Sequence, residues 1–174
     1  MQEVKEGRLV VLLVFGLELL ETLVLTYGYV GALLVGFLSS FTLFIPSPAF
    51  FVIFILGSKL NPLVLGISAG IGSAIGEMIS YFAGYGVNFI VKKYRKNLDE
   101  IKKSFYKYKP SVIIFFFAAT PLPFDLVGIL CGAIRYDKKK FFVATLAGKL
   151  VKFTFIAYAG FYSIEWIVNY FQID

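Results

Sequence analysis

Histidine is absent from this chain of 174 residues, and cysteine occurs once, as Cys131. The first absence excludes Ser-His-Asp and Cys-His catalysis. The two together leave no usual ligand set for zinc or iron, and a lone cysteine allows no intrachain disulfide. No paired-acid motif is present either, so an enzyme is the weakest reading and no cofactor or metal is expected. Polar surface is scarce as well. Apolar residues make up 59% of the chain, against about 45–50% in an ordinary soluble domain. A soluble fold of this size would have too little polar side chain to cover itself, whereas lipid solvates the excess. The composition therefore predicts one all-α, polytopic membrane domain spanning residues 1–174. No small-residue cleavage site follows the first apolar run, which is expected to stay in the fold.

What charge there is lies in clusters. The net charge is +6, and eight of the seventeen basic residues fall within 92–109. Arg135, Lys138, Lys139 and Lys140 form a second cluster, and Lys5 and Arg8 precede the first apolar run. Basic loops beside apolar spans are what the positive-inside rule predicts for cytoplasmic segments, so nucleic acid is not an expected partner.

Five apolar segments and one amphipathic one follow from hydropathy, proline and periodicity. Residues 9–26 are long enough for one span within an N-terminal helix region, 1–27. Residues 29–60 are apolar but broken by Pro46-Ser-Pro48, and 62–91 form a span opened by Asn61-Pro62, where proline suits a first helical turn. Residues 94–109 carry Tyr94, Leu98, Ile101, Phe105 and Tyr108 at spacings of four and three, an apolar face among lysines. That pattern predicts a basic amphipathic linker (92–109) on the cytoplasmic membrane surface. Residues 111–134 are broken by Pro121-Leu-Pro123. A last span covers about 139–163, with a tail behind it at 164–174.

The chain also repeats itself. Pro46 and Pro48 stand at the same distance from Gly57 as Pro121 and Pro123 from Gly132, and Gly72 and Gly84 match Gly148 and Gly160. Repeat 1 covers 28–91 and repeat 2 covers 110–163. Both segments flanking 111–134 are basic, which predicts a re-entrant hairpin entering from the cytoplasm. The first broken segment must then enter from outside, leaving the N-terminus inside. Two opposed re-entrant Pro-x-Pro hairpins with about three spanning helices make an inverted repeat, an architecture common in secondary transporters.

Function is expected where charge enters the spans. Glu77, Asp125, Lys149 and Lys152 lie there, with Glu18 and Glu21 in the first helix. A charge near mid-bilayer costs about 2.5–3.5 kcal/mol even on the lenient insertion scale, so these groups imply partners or water. Two acids and two bases predict a neutralised internal network that binds a substrate or a coupling ion. The other reading is a set of structural ion pairs. Ser68, Gly72, Gly76, Ser80 and Gly84 form a ridge at four-residue spacing, which predicts close helix packing.

The order of a Pro-x-Pro hairpin, glycine-rich span, basic linker, second Pro-x-Pro hairpin and Gly148-Lys149 span resembles the DedA family, also called the VTT or SNARE-associated membrane domain. The resemblance covers roughly residues 28–162, and Thr120-Pro-Leu-Pro-Phe-Asp-Leu-Val-Gly128 is its most specific stretch. It implies a flippase or scramblase that moves an anionic lipid, such as a polyprenyl phosphate or a phospholipid, across the cell membrane. Membrane lipids are then the partner, protons or sodium the candidate coupling ions, and a homo-oligomer is allowed. The better-known bacterial pattern has a glutamate beside the first proline motif and arginines around the second. Here Ser47 and Ala49, and then Ala119, Thr120 and Phe124, stand in those places. Asp125, Lys149 and Lys152 are the charges left to act. A small-ion or solute transporter, or a non-transporting membrane scaffold, are the alternative readings.

Overall fold

The computed structural model describes residues 16–40, 48–90, 102–103, 105–107 and 109–171. Residues 16–27 are the described part of a first helix, α1. It is followed by α2 (Tyr29–Ser39), α3 (Pro48–Leu56), α4 (Pro62–Ile90), α5 (Pro110–Ala119), α6 (Asp125–Ala133) and α7 (Lys138–Phe171). Among the described residues there is no strand. Helices α2 to α6 start and end within a residue of the bounds of the expected apolar segments or inside them. Helix α7 continues to Phe171 through most of the expected tail, and residues 9–15 of the first expected span lie outside the described residues.

The boundaries have local causes. Gly28, between α1 and α2, has φ 56°, a left-handed conformation that glycine adopts without strain. Helices α3, α4 and α5 open on a proline, whose missing N–H would be unpaired there in any case. Asn61 Oδ1 caps α4 by accepting the N–H groups of Leu63 (3.1 Å) and Val64 (3.2 Å). Asp137 Oδ1 caps α7 by accepting the N–H of Lys140 at 2.8 Å.

Two helix lengths recur. The apolar stretches Pro62–Gly86 of α4 and Lys138–Ser163 of α7 are long enough to cross a bilayer. Helices α2, α3, α5 and α6 have 9 to 11 residues, or about 14–17 Å, roughly half the hydrocarbon thickness.

Contacts fix how they run. Gly66 of α4 lies against Thr154 of α7, and Gly70 against Leu150, so the two long helices are antiparallel. Helix α2 packs along the first half of α4, where Gly36 meets Ala69 and Gly72 meets Leu33. Helix α6 packs along the second half, where Gly128 meets Ser80 and Gly132 meets Tyr81. Helix α5 follows the first half of α7 through Gly148 against Phe115, and α3 the second half through Gly57 against Ala157. Each long helix thus pairs with the first short helix of its own half of the chain and the second short helix of the other half.

Two apolar clusters result. One joins Val24, Val35, Ile53 and Leu65 to Phe153 and Ala157, and the other joins Ile114, Phe124 and Cys131 to Tyr81 and Phe141. On both long helices the buried polar residues, Ser73 and Glu77 on α4 and Thr145, Lys149 and Lys152 on α7, fall between the two clusters. The outer surface is apolar too: Val143 and Phe155, for example, are 64% and 74% exposed. Large exposed apolar area of this kind fits lipid rather than water.

Candidate functional site

Ser73, Glu77 and Ser80 follow one another on α4 at steps of four and three, and Thr145, Lys149 and Lys152 do the same on α7. Each set therefore lies on one helix face. Because α4 and α7 pack together, the two stripes meet inside the protein. Ser73, Glu77, Asp125, Thr145, Lys149 and Lys152 are all buried, none more than 6% exposed.

The four expected charges converge, but they are not equivalent. Lys149 Nζ donates to Glu77 Oε1 at 2.5 Å, with both side chains almost fully buried. A charge-assisted bond of this length is among the stronger hydrogen bonds available. Asp125, the first residue of α6 and two beyond the second proline break, accepts a bond from Ser80 Oγ at 2.9 Å. Lys152 Nζ donates to the carbonyl oxygen of Thr120 at 3.4 Å and lies 5.1 Å and 5.7 Å from the ring centres of Phe50 and Phe153. Among the described residues no carboxylate pairs directly with it. Glu77 nonetheless interacts electrostatically with Asp125 and Lys152 as well as with Lys149.

The break supplies one of these partners. Pro121 and Pro123 lack the N–H groups that would continue the helix of α5, and Thr120 is extended at φ −94°, ψ 163°. Its carbonyl is thereby free to receive the lysine. Pro121, Leu122 and Pro123 are themselves exposed, so the break reaches the molecular surface while its flanks, Thr120 and Asp125, reach the centre.

Two buried oxygens have no partner among the described atoms: Glu77 Oε2 and Thr145 Oγ1. The centre therefore has unused acceptor capacity, normally filled in native interiors by water or an ion.

Other expected residues fall elsewhere. Glu21 forms a loose, partly exposed pair with Lys59 at 3.8 Å, and Glu18 is exposed, so the first helix brings neither acid to the centre. A Cβ at Gly72, Gly76, Gly84, Gly148 or Gly160 would lie against a neighbouring segment at less than ordinary contact distance. Pro46 lies outside the described residues, as does most of the 92–109 linker; Pro48 opens α3. Phe105 of the linker packs on Tyr136, ring centres 6.0 Å apart. Sequence reasoning missed Ser73 and Ser80 as polar partners and Phe50 as a face for Lys152. The 73/77/80 spacing was the available signal for the serines; nothing local pointed to Phe50.

Long apolar helices enclosing buried charge define a helical integral membrane protein. The VTT domain model matches residues 45–162, most of the chain. The protein belongs to that family, also known as DedA, which is associated with membrane transport. An uncharacterized protein of Methanocaldococcus jannaschii is 29% identical over 142 residues, an alignment covering 78% of this chain and 85% of the relative. No solved structure matches the chain.

Proposed function

We propose that the protein moves an anionic lipid, a phospholipid or a polyprenyl phosphate, across the cell membrane as a flippase or scramblase. The observation that carries this reading is Lys152, a buried amine held by a backbone carbonyl and two rings beside an exposed helix break. A phosphate reaching the break would offer that amine a better partner than a carbonyl at 3.4 Å. Lys149 is tied to Glu77 and acts second. Protonation of Glu77, or a sodium ion near its unpartnered oxygen, would loosen that tie and couple lipid movement to an ion gradient. Asp125, held by Ser80, keeps the centre neutral.

The helix pairing supports two opposed re-entrant hairpins, α2–α3 and α5–α6, in an inverted repeat. Gly57 meets Ala157 as Gly132 meets Tyr81, and Gly160 meets Phe54 as Gly84 meets Ile129. In this arrangement the chain is multi-pass, with the N-terminus and residues 92–109 in the cytoplasm. A small-ion or solute transporter is the second reading, favoured by the two buried unpartnered oxygens.

Proteoliposomes of purified protein, loaded with a reporter phospholipid or a polyprenyl phosphate, test the choice. Wild type should translocate at least one lipid, and Lys152→Met should lose most of the rate while staying folded. If neither lipid moves under proton or sodium gradients, the lipid reading fails and solute transport or a scaffold replaces it.

A further inference from the structure

Away from the buried centre, the first turns of α5 and α7 do not close on each other. They leave a surface groove of about 460 Å³. One wall is Ser111, Val112 and Phe115 of α5; the other is Val143, Ala144 and Ala147 of α7. The gap exists because two alanines stand where larger side chains would fill it. From Lys140 to Ala147 it follows α7 for about 10 Å. It is apolar along this length, and Val112 and Val143 are 47% and 64% exposed.

The mouth is different. Lys139 and Lys140 line it, and Ser111 and Lys140 also line an adjoining cavity of about 310 Å³ with Lys109, Tyr136 and Asp137. The lining charges are three lysines against one aspartate. That aspartate is already engaged by backbone N–H groups at the start of α7, which hold its carboxyl below the usual range and keep it ionised. The site is therefore cationic and polar at one end and a narrow apolar channel at the other.

We propose that this groove binds one anionic phospholipid of the surrounding membrane, with an acyl or isoprenoid chain between α5 and α7 and the phosphate among Lys109, Lys139 and Lys140. The fit is one of charge and shape together. An anion without a chain would leave the channel empty, and a neutral lipid would leave the lysines unmatched. The inference requires only that the helices lie in a membrane and is independent of transport through the buried centre.

Native mass spectrometry of the full-length protein in detergent tests it, using phosphatidylglycerol and phosphatidylcholine of equal chain length. Wild type should retain one phosphatidylglycerol at least ten-fold more tightly than phosphatidylcholine. The double substitution Lys139→Gln, Lys140→Gln should remove most of that preference. Ala147→Trp, at an exposed position that fills the channel, should weaken both lipids several-fold and leave the preference intact. Lys138→Gln, one residue outside the lining, should change neither, and thermal melting of each variant checks its fold. Equal retention of the two lipids by wild type overturns the proposal. So does an effect of Lys138→Gln as large as that of the double variant, because the attraction would then be diffuse surface charge. An Ala147→Trp variant that binds as wild type also overturns it.

Discussion

Helices α4 and α7 are built to one plan and finished differently. Each carries glycines that bring a short helix to backbone contact, and each carries three polar residues at the same spacing, the middle ones of which, Glu77 and Lys149, meet. On α4 one acid is flanked by two serines; on α7 two lysines follow one threonine. The acid can neutralise only one lysine at close range, and it takes Lys149. Lys152, less than one turn further on, is left to a carbonyl and two aromatic faces. A sum of charges hides this, because two acids and two bases cancel however they are arranged. The difference teaches that the centre holds one closed ion pair and one weakly held amine, and the second is the one free to change partners.

Breaking the closed pair should have the largest effect. Lys149→Met strands Glu77 without its cation, and removing one partner of a buried pair costs about 3–5 kcal/mol. Lys152→Met breaks one long hydrogen bond and should cost about 1 kcal/mol. Thermal unfolding in detergent measures both. The double variant Glu77→Gln, Lys149→Met should recover much of the single-variant loss, because no buried charge is then stranded. Equal destabilisation by the two lysine substitutions would erase the distinction between them.

The glycines test the shared part of the plan. A Cβ at Gly84 would lie 2.6 Å from the carbonyl carbon of Ile129, and one at Gly160 lies at the same 2.6 Å from that of Phe54. Both neighbours are backbone and cannot swing away. Gly84→Ala and Gly160→Ala should each cost about 1–3 kcal/mol, and by similar amounts. A large loss at one and none at the other would mean that the two halves are not packed alike.

Much of this was legible in the chain because the signals are local. Pro48, Pro62 and Pro110 open helices and Pro121-Leu-Pro123 separates two of them, as proline in an apolar run predicts. The four central charges could be selected because burying charge is costly, so each had to be brought to a partner. The partners themselves were not legible. Ser80 reaches Asp125 across 45 residues and Lys149 reaches Glu77 across 72, and those pairings exist only once α6 and α7 lie on α4. The carbonyl that holds Lys152 belongs to backbone, which every residue has and no sequence pattern advertises. The groove beside Ala144 and Ala147 is a missing volume between helices, and alanine in an apolar run gives no hint of it.

The smallest effect comes from the caps, where the two long helices differ in chemistry alone. Asn61 caps α4 with a neutral amide oxygen and Asp137 caps α7 with a carboxylate. Bonds from the backbone N–H groups of Lys140 and Lys139, with the charges of those two lysines, hold the Asp137 carboxyl below its ordinary value. A group whose acidity is increased by folding stabilises the folded state above its unfolded pKa, and that contribution fades as pH falls through the folded value. The α7 cap should therefore weaken below about pH 4, while the α4 cap stays constant. Asn61→Ala should cost about 1 kcal/mol at every pH. Asp137→Asn, which keeps an acceptor at the same place, should match wild type in acid and fall slightly below it at neutral pH. Melting temperatures of the two variants and wild type between pH 3 and 7 read the difference directly. A constant gap between Asp137→Asn and wild type across that range would show that the carboxylate charge adds nothing to the start of α7.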